Sequence, residues 1–240
     1  MRIAVVSDIH GNRTALDAVL ADLRQVSPDF VIHGGDLAAS GSHDAEVVDR
    51  IRSVGWPGVC GNTDEMLWNP ERVAQLAAQQ PKLQKLLSQL QEMIPRMRVS
   101  LGEERVQWMK SLPMEYSHDG ITVVHASPGD CWKSPMVGAA DEELESVYGA
   151  LNARVVVYGH IHQPYVRQLK NFTVANSGSV SLAYDGDPRA KYLLIEDGQV
   201  TIRRVEYDIE RAVQDLMDSG LPYAEWLARI LRAGRYIRPD

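Results

Sequence analysis

The sequence predicts an α/β fold, because short strands alternate with amphipathic helices through the first third of the chain. Apolar, β-branched runs at residues 3–6 and 30–32 have the composition of buried strands. Residues 13–25 and 45–54 carry apolar side chains three and four positions apart, the spacing of a helix that packs on one face. Polar blocks follow the strands where loops begin, at the edge where open α/β sheets form their binding sites.

The middle of the chain departs from this alternation. Residues 66–112 are rich in glutamine and regularly spaced leucine and contain Pro81 and Pro95, which predicts two or three short helices. This helical insert would form either a partial lid over a functional site or a cover for the edge of a sheet. Strands are predicted again at residues 121–124 and 155–157.

The C-terminal third returns to strands and then to helix. Alternating segments predict strands at residues 166–169, 173–175, 191–196 and 200–205. The pair Asp197-Gly198 predicts a hairpin between the last two. Helical spacing dominates afterwards, so a helical extension is expected at residues 208–240. A chain of 240 residues can bury one core, and we expect a single domain over residues 1–240.

Composition limits the classes of function. The chain is 45% hydrophobic and 24% charged, as in ordinary globular proteins, with a net charge of -7 and a pI near 5.5. A net negative charge argues against strong nucleic-acid binding and against adsorption to membranes. No signal-peptide core or membrane-spanning run is present in the sequence. With only Cys60 and Cys131 as cysteines, the protein is expected in the reducing cytoplasm.

Five polar blocks of the sequence contain the candidate metal-binding residues. They supply side chains able to bind metal at seven positions: Asp8, His10, Asp36, Asn62, His125, His160 and His162. Their oxygen and nitrogen donors suit divalent ions of intermediate hardness, and no thiolate of a structural zinc site is among them. Seven ligands are too many for one ion, whereas two ions that share a carboxylate would use all of them. The sequence therefore predicts a binuclear metal site.

The order of these blocks, DxH, GD, GNxD, H and GHxH, resembles the motif set of the calcineurin-like metallophosphoesterases. The DIHGN start resembles the small bacterial and archaeal phosphodiesterase branch of that family. The similarity extends over roughly the first four-fifths of the chain. It implies a four-layer α/β/β/α sandwich, in which two mixed β-sheets are flanked by helices.

The resemblance also implies a role for each ligand. One ion would be held by Asp8, His10 and His162, the other by Asn62, His125 and His160, and Asp36 would bridge the two. A hydroxide formed between the ions would attack the phosphoester, with Asp36, Asn62 and His125 as the catalytic set. Manganese is the expected ion, and Fe, Ni, Zn or Mg are the alternatives.

Thr63 departs from the family pattern. Many members carry a histidine after the asparagine, where it protonates the leaving group, and a threonine hydroxyl is too weak an acid for that role. We therefore expect hydrolysis of phosphodiesters or activated phosphoesters. The alternatives are a phosphomonoesterase acting on a nucleotide or phosphoprotein, and a catalytically silent scaffold for protein binding.

Six further residues are candidates for contact with the substrate, a small-molecule phosphoester or a nucleotide, or for support of the ligands: Asn12, His43, Thr63, Asp64, Trp132 and Lys133. Trp132 could stack on a base or aryl group, or pack against the helical insert. His43 could touch substrate or supply the missing proton, or lie in a solvated loop. His33 could be a packed histidine or could support a ligand.

Overall fold

Two β-sheets form the centre of the computed structural model, which describes residues 1–239. The strands in these residues are β1 (Arg2–Val6), β2 (Phe30–His33), β3 (Glu115–His118), β4 (Ile121–Val124), β5 (Val155–Tyr158), β6 (Tyr165–Gln168), β7 (Thr173–Asn176), β8 (Ala190–Glu196) and β9 (Gln199–Val205). One sheet has the order β2-β1-β8-β9 and the other β3-β4-β5-β7-β6. Each sheet combines parallel and antiparallel neighbours, so both are mixed: β1 is parallel to β2 but antiparallel to β8.

The helices in the same residues are α1 (Arg13–Val26), α2 (Asp44–Val54), α3 (Asn62–Glu65), α4 (Glu71–Gln79), α5 (Gln84–Leu101), α6 (Glu103–Lys110), α7 (Asp141–Tyr148), α8 (Ile209–Asp218) and α9 (Ala224–Ala233). Two short 3₁₀ turns, Pro81–Leu83 and Gly149–Leu151, precede α5 and follow α7. Among residues 1–239, no helix combines the length and apolar character needed to span a membrane.

Side chains that point alternately to the two faces of each strand form the apolar layers of the fold. In β1, Ile3 and Val5 face the apolar layer between the two sheets, while Ala4 and Val6 pack under helices. In β5, Val155 and Val157 enter the same central layer, and the residues between and after them pack with α7. Strands that bury both faces read as continuous apolar runs, as these do. The result is the predicted four-layer sandwich of helices, two sheets and helices.

The helical insert differs from the expected series of short pieces. Its longest helix, α5, has 18 residues and contains Pro95 in its interior. A proline removes one backbone hydrogen bond of the helix, but Leu87, Ile94 and Leu101 bury one face of α5 in the core and hold it together. Packing therefore overrides the local helix propensity of this segment.

The GNxD block at residues 61–64 does not follow a strand. It follows an isolated bridge between His33 and Gly58.

Asp-Gly pairs form two of the hairpin turns, and the first of them was predicted from the sequence. Asp197-Gly198 joins β8 to β9 with φ values of 51° and 83°, and Asp119-Gly120 joins β3 to β4 with 45° and 72°. Positive φ at both central residues is what tight hairpins require and what Asp-Gly supplies. Beyond β9, α8 packs on α1 and on α9, and both helices contribute to the main core.

Candidate metal centre

The structure brings the seven predicted ligand residues together. They lie in loops after four strands and at the first residue of α3: Asp8 and His10 after β1, Asp36 after β2, His125 after β4, His160 and His162 after β5, and Asn62 at the start of α3. Strands of both sheets therefore end at one site. Ligand positions far apart in the chain become neighbours because the two sheets face each other.

Four of these residues form a tight group. Asp8, His10, Asp36 and His162 are all buried, and each offers one ligand atom within 4.8 Å of the others. Nε2 of His162 lies 3.0 Å from Oδ1 of Asp8 and 3.3 Å from Nε2 of His10. Ligands bound at about 2.1 Å to a common ion are separated by roughly 3 Å, so this group could hold a metal ion.

A second group lies beside the first. Oδ1 of Asn62 is 2.9 Å from Nε2 of His125 and 2.8 Å from Nδ1 of His160. One carboxylate oxygen connects the groups, since Oδ2 of Asp36 lies 3.6 Å from Nε2 of His10 and 3.5 Å from Nε2 of His125. The arrangement is therefore two clusters of donors with one carboxylate between them.

The histidine tautomers leave lone pairs directed into the site. Nδ1 of His125 donates to the carbonyl of Gly34 at 2.8 Å, and Nδ1 of His162 donates to the carbonyl of Leu182 at 2.7 Å. Because Nδ1 is the donor in each ring, Nε2 is the nitrogen directed into the site. Nε2 of His162 faces the Asp8 carboxylate at 3.0 Å. A divalent cation between this nitrogen and the carboxylate would be bound by both groups.

Burial and neighbouring charges set the protonation states. Burial lowers the pKa of His10 and of His160 to about 4, so both rings are neutral at pH 7 and able to bind metal. Burial alone would lower the pKa of His125, yet the carboxylates of Asp36 and Asp8 together raise it. Burial likewise opposes ionisation of Asp8, but the contact with His162 outweighs it and lowers the carboxyl pKa. The centre of the site thus favours positive charge.

Five of the seven residues adopt a strained backbone conformation. Their φ values are 58° at Asp8, 47° at His10, 51° at Asp36, 63° at His160 and 55° at His162. Left-handed conformations are unfavourable for residues other than glycine and cluster at functional sites, where the surrounding structure enforces them. In this chain, these conformations occur in the loops that follow β1, β2 and β5, at the residues that form the two donor clusters.

Asp64 holds two of the loops in register. Its buried carboxylate accepts hydrogen bonds from the backbone amides of Asp36 at 2.9 Å, Leu37 at 3.0 Å and Gly61 at 3.0 Å. Gly61 is required there, because a Cβ on it would lie 2.1 Å from Oδ1 of Asp36. Burial raises the pKa of Asp64 to about 7, and Asp36 contributes to the rise. The hydrogen bond to Asp64 therefore fixes the backbone position of Asp36.

Two other candidates have structural partners. Oδ1 of Asn12 accepts from the amide of Ala15 at 3.0 Å and caps α1, while its Nδ2 donates to Ser181 at 3.1 Å. His43 precedes α2, and its Nδ1 lies 2.8 Å from the hydroxyl of Ser42. Asn12 and His43 line a small cavity behind His10.

The loop after His125 packs against the helical insert. Trp132 donates from Nε1 to Glu65, and the guanidinium of Arg72 lies 5.7 Å from its ring centroid. These contacts agree with packing, the second of the two expectations for Trp132. Lys133 is exposed on the same loop.

A cavity of about 190 Å³ opens beside the two donor clusters. Thr63 lines it, donating from its hydroxyl to the carbonyl of Ala38 at 3.1 Å. The leucine and aromatic residues that form the apolar wall of this cavity were not predicted from the sequence: Leu86, Leu90, Leu182, Tyr184, Tyr223, Trp226 and Leu227. Helical periodicity identifies an apolar face of α5 or α9 but does not reveal which part of that face meets the site.

Comparison with known proteins identifies the family. Residues 1–198 match the family described as the calcineurin-like phosphoesterase superfamily domain. The chain belongs to this superfamily. Its members are phosphoester hydrolases, and the buried group of aspartates and histidines is consistent with the divalent metals that such enzymes bind.

Three proteins of similar sequence or structure each cover 70% or more of the chain. MJ0912, an uncharacterized protein of Methanocaldococcus jannaschii, is 29% identical, with 97% of this chain and 98% of that protein covered. A probable cyclic nucleotide phosphodiesterase of Synechococcus sp. is 24% identical, over 70% of this chain and 71% of that protein. A metallophosphoesterase from Sphaerobacter thermophilus has a similar crystal structure, with a TM-score of 0.76 and 27% identity, covering 98% of this chain and 99% of that chain.

Proposed function

We propose that the protein is a binuclear metal-dependent phosphodiesterase that hydrolyses phosphodiesters or activated phosphoesters. Asp8, His10 and His162 would hold one divalent ion, Asn62, His125 and His160 the other, and Asp36 would bridge them. The observation that carries the proposal is the position of Oδ2 of Asp36, 3.6 Å from Nε2 of His10 and 3.5 Å from Nε2 of His125. A single shared carboxylate between two donor clusters fits two ions better than one.

When bound, a pair of divalent ions lowers the pKa of a water molecule and neutralises charge on the phosphoryl oxygens. The protein's own groups then orient the substrate. Asn62 turns its carbonyl oxygen toward His125 and His160, which leaves its NH2 group available to donate to a phosphate oxygen as negative charge develops. The Gly34 carbonyl holds the His125 ring in the orientation that this arrangement needs.

The surroundings of Thr63 favour esters whose leaving group needs no proton. Its hydroxyl already donates to the Ala38 carbonyl and is far too weak an acid to protonate an alkoxide. The Synechococcus relative, a probable cyclic nucleotide phosphodiesterase, adds support for diester chemistry. A silent scaffold would not need seven convergent polar side chains with five of them in strained conformations. Manganese as the resident ion and a cytoplasmic location stay predictions from the sequence.

The test compares turnover of bis-(p-nitrophenyl) phosphate and p-nitrophenyl phosphate in the presence of Mn²⁺, together with metal content measured by mass spectrometry. Both substrates release the same alcohol, so their ratio reports the class of ester. We expect about two ions per chain and dominant diester turnover in the parent. Asp36→Asn should lower turnover by about a hundredfold or more and leave fewer ions bound.

Asp17→Asn on the exposed face of α1 is the matched control and should behave like the parent. Dominant monoester turnover would replace the diesterase proposal with a phosphomonoesterase. Turnover of neither ester with any first-row divalent metal would overturn the proposal of an enzyme and favour the scaffold.

A further inference from the structure

The apolar wall of the site cavity comes from two helices remote in sequence. Leu86 and Leu90 lie on α5 of the helical insert, and Tyr223, Trp226 and Leu227 come from the start of α9 and the residue before it. The family domain ends at residue 198, so α9 lies outside it. Both segments that the sequence set apart from the alternating core therefore line the cavity beside the two donor clusters.

Aromatic rings continue this wall to the proposed ligands. The ring of Tyr184 stacks on that of His162, with centroids 4.7 Å apart and planes 30° apart. Tyr236 meets the edge of Tyr184 at 5.6 Å and of Trp226 at 6.4 Å. The indole Nε1 of Trp226 donates to the carbonyl of Ile237 at 2.6 Å, which fixes its ring. The aromatic groups are held in place by one another and by the backbone.

Size and charge define what the cavity can accept. Its volume of about 190 Å³ exceeds the ~150 Å³ of an apolar cavity known to bind benzene. Among the described residues that line it, none is lysine or arginine, so a second anionic group would find no counter-charge. Its lining combines the donor residues with the leucine and aromatic side chains of the wall, which suits an apolar ring joined to a phosphoryl group.

We propose that α5 and α9 form a binding site for one uncharged aromatic ring carried by the phosphoester substrate. This inference rests on the proposed function, because the ring is recognised only when its phosphoryl group lies at the metal centre. Leu90 and Trp226 determine specificity by contact with the ring. A simple aryl group and a nucleobase share this chemistry.

Binding of non-hydrolysable phosphonates to the Mn²⁺-loaded protein tests the proposal by calorimetry. Methylphosphonate, cyclohexylphosphonate and phenylphosphonate carry the same anionic group and differ in the organic substituent. We expect phenylphosphonate to bind about ten- to a hundredfold more tightly than methylphosphonate, with cyclohexylphosphonate between them. Tighter binding of 5′-deoxythymidine 5′-phosphonate, in which phosphorus is bonded directly to C5′, than of phenylphosphonate would support a nucleobase as the ring, and weaker binding a simple aryl group.

Two substitutions on different helices keep the test independent of folding defects. Leu90→Gln and Trp226→Leu should each reduce the preference for phenylphosphonate over methylphosphonate about fivefold or more, because each removes apolar contact area. Met93→Gln on α5 is the matched control, since Met93 packs on the core away from the cavity, and it should keep the parent's preference.

Equal affinity for the phenyl and methyl compounds would overturn the proposal, as would cyclohexyl binding as tight as phenyl. Diester turnover without any preference for the ring would reject this site and leave the proposed function intact. A ring preference without turnover of any ester would reject the proposed function and support the binding site.

Discussion

Replacing Asp64 by asparagine tests whether its carboxylate holds the loops that contain Asp36 and Gly61 in position. The Asp64 carboxylate accepts from the amides of Asp36 and Gly61 through Oδ2 and from that of Leu37 through Oδ1. Asparagine has the same shape, but its NH2 group cannot accept a hydrogen bond. In either orientation of the amide, at least one buried backbone N–H loses its acceptor and faces another donor.

The expected cost follows from these contacts. A hydrogen bond to a charged group contributes about 1.5–3 kcal/mol, and a buried donor left without a partner costs about 1–3 kcal/mol. Removal of a buried charge offsets part of this loss. We therefore expect Asp64→Asn to lower the free energy of unfolding by about 2–4 kcal/mol. Metal affinity should fall about ten- to a hundredfold, because Asp36 is no longer held in position.

Urea unfolding in the presence of chelator measures the stability, and competition with a chromophoric chelator measures the metal affinity. Asp44→Asn is the matched control, since burial raises the pKa of Asp44 to about 7 and its Oδ1 has no hydrogen-bond partner in the described residues. That variant should stay within about 1 kcal/mol of the parent. If Asp64→Asn is as stable as the parent and binds metal equally well, the reasoning is wrong.

Two further predictions concern Thr63 and His33. Thr63→His should raise turnover of alkyl phosphates by about tenfold or more, because an imidazole can protonate the leaving alkoxide. Turnover of p-nitrophenyl esters and the variant Thr63→Ser are the controls, and neither should show this gain. An unchanged turnover of alkyl phosphates in Thr63→His would contradict the role assigned to Thr63. His33 is fully buried beside Trp108, with neither ring nitrogen bonded within residues 1–239, and burial lowers its pKa from 6.5 to about 3. Between these values the unfolded chain binds more protons, so stability falls as pH falls. Urea unfolding with chelator should show His33→Phe losing about 2 kcal/mol less than the parent between pH 7 and pH 5, whereas equal losses would count against this reading.

Local sequence was sufficient for much of the fold. The turns Asp197-Gly198 and Asp119-Gly120, the strands around them and helix α1 are determined by interactions between near neighbours, and the structure contains each of them. Prediction was weaker where distant contacts decide. Pro95 suggested the end of a helix, but burial of the surrounding face of α5 keeps it helical.

The same division between local and distant interactions decides which features of the site could be predicted. Its donor groups could be identified from sequence because the five polar blocks occur in a specific order after apolar runs, and that order also indicated the family, which the match over residues 1–198 established. Asp64 was among the candidates for support of the ligands, but its partners could not be predicted, because Asp36 and Leu37 lie 28 and 27 residues away and are reached through backbone amides.

By itself, therefore, the sequence determined the chemical character of the candidate centre: oxygen and nitrogen donors, and a threonine where many members of the family carry a histidine. Only the tertiary structure decided what surrounds that centre. Loops from both sheets come together at the site, and Leu90 of α5 and Trp226 of α9 line the cavity beside it. A helix face is apolar for the same energetic reason whether it covers a core or a cavity, so its role emerges only when the whole chain is packed.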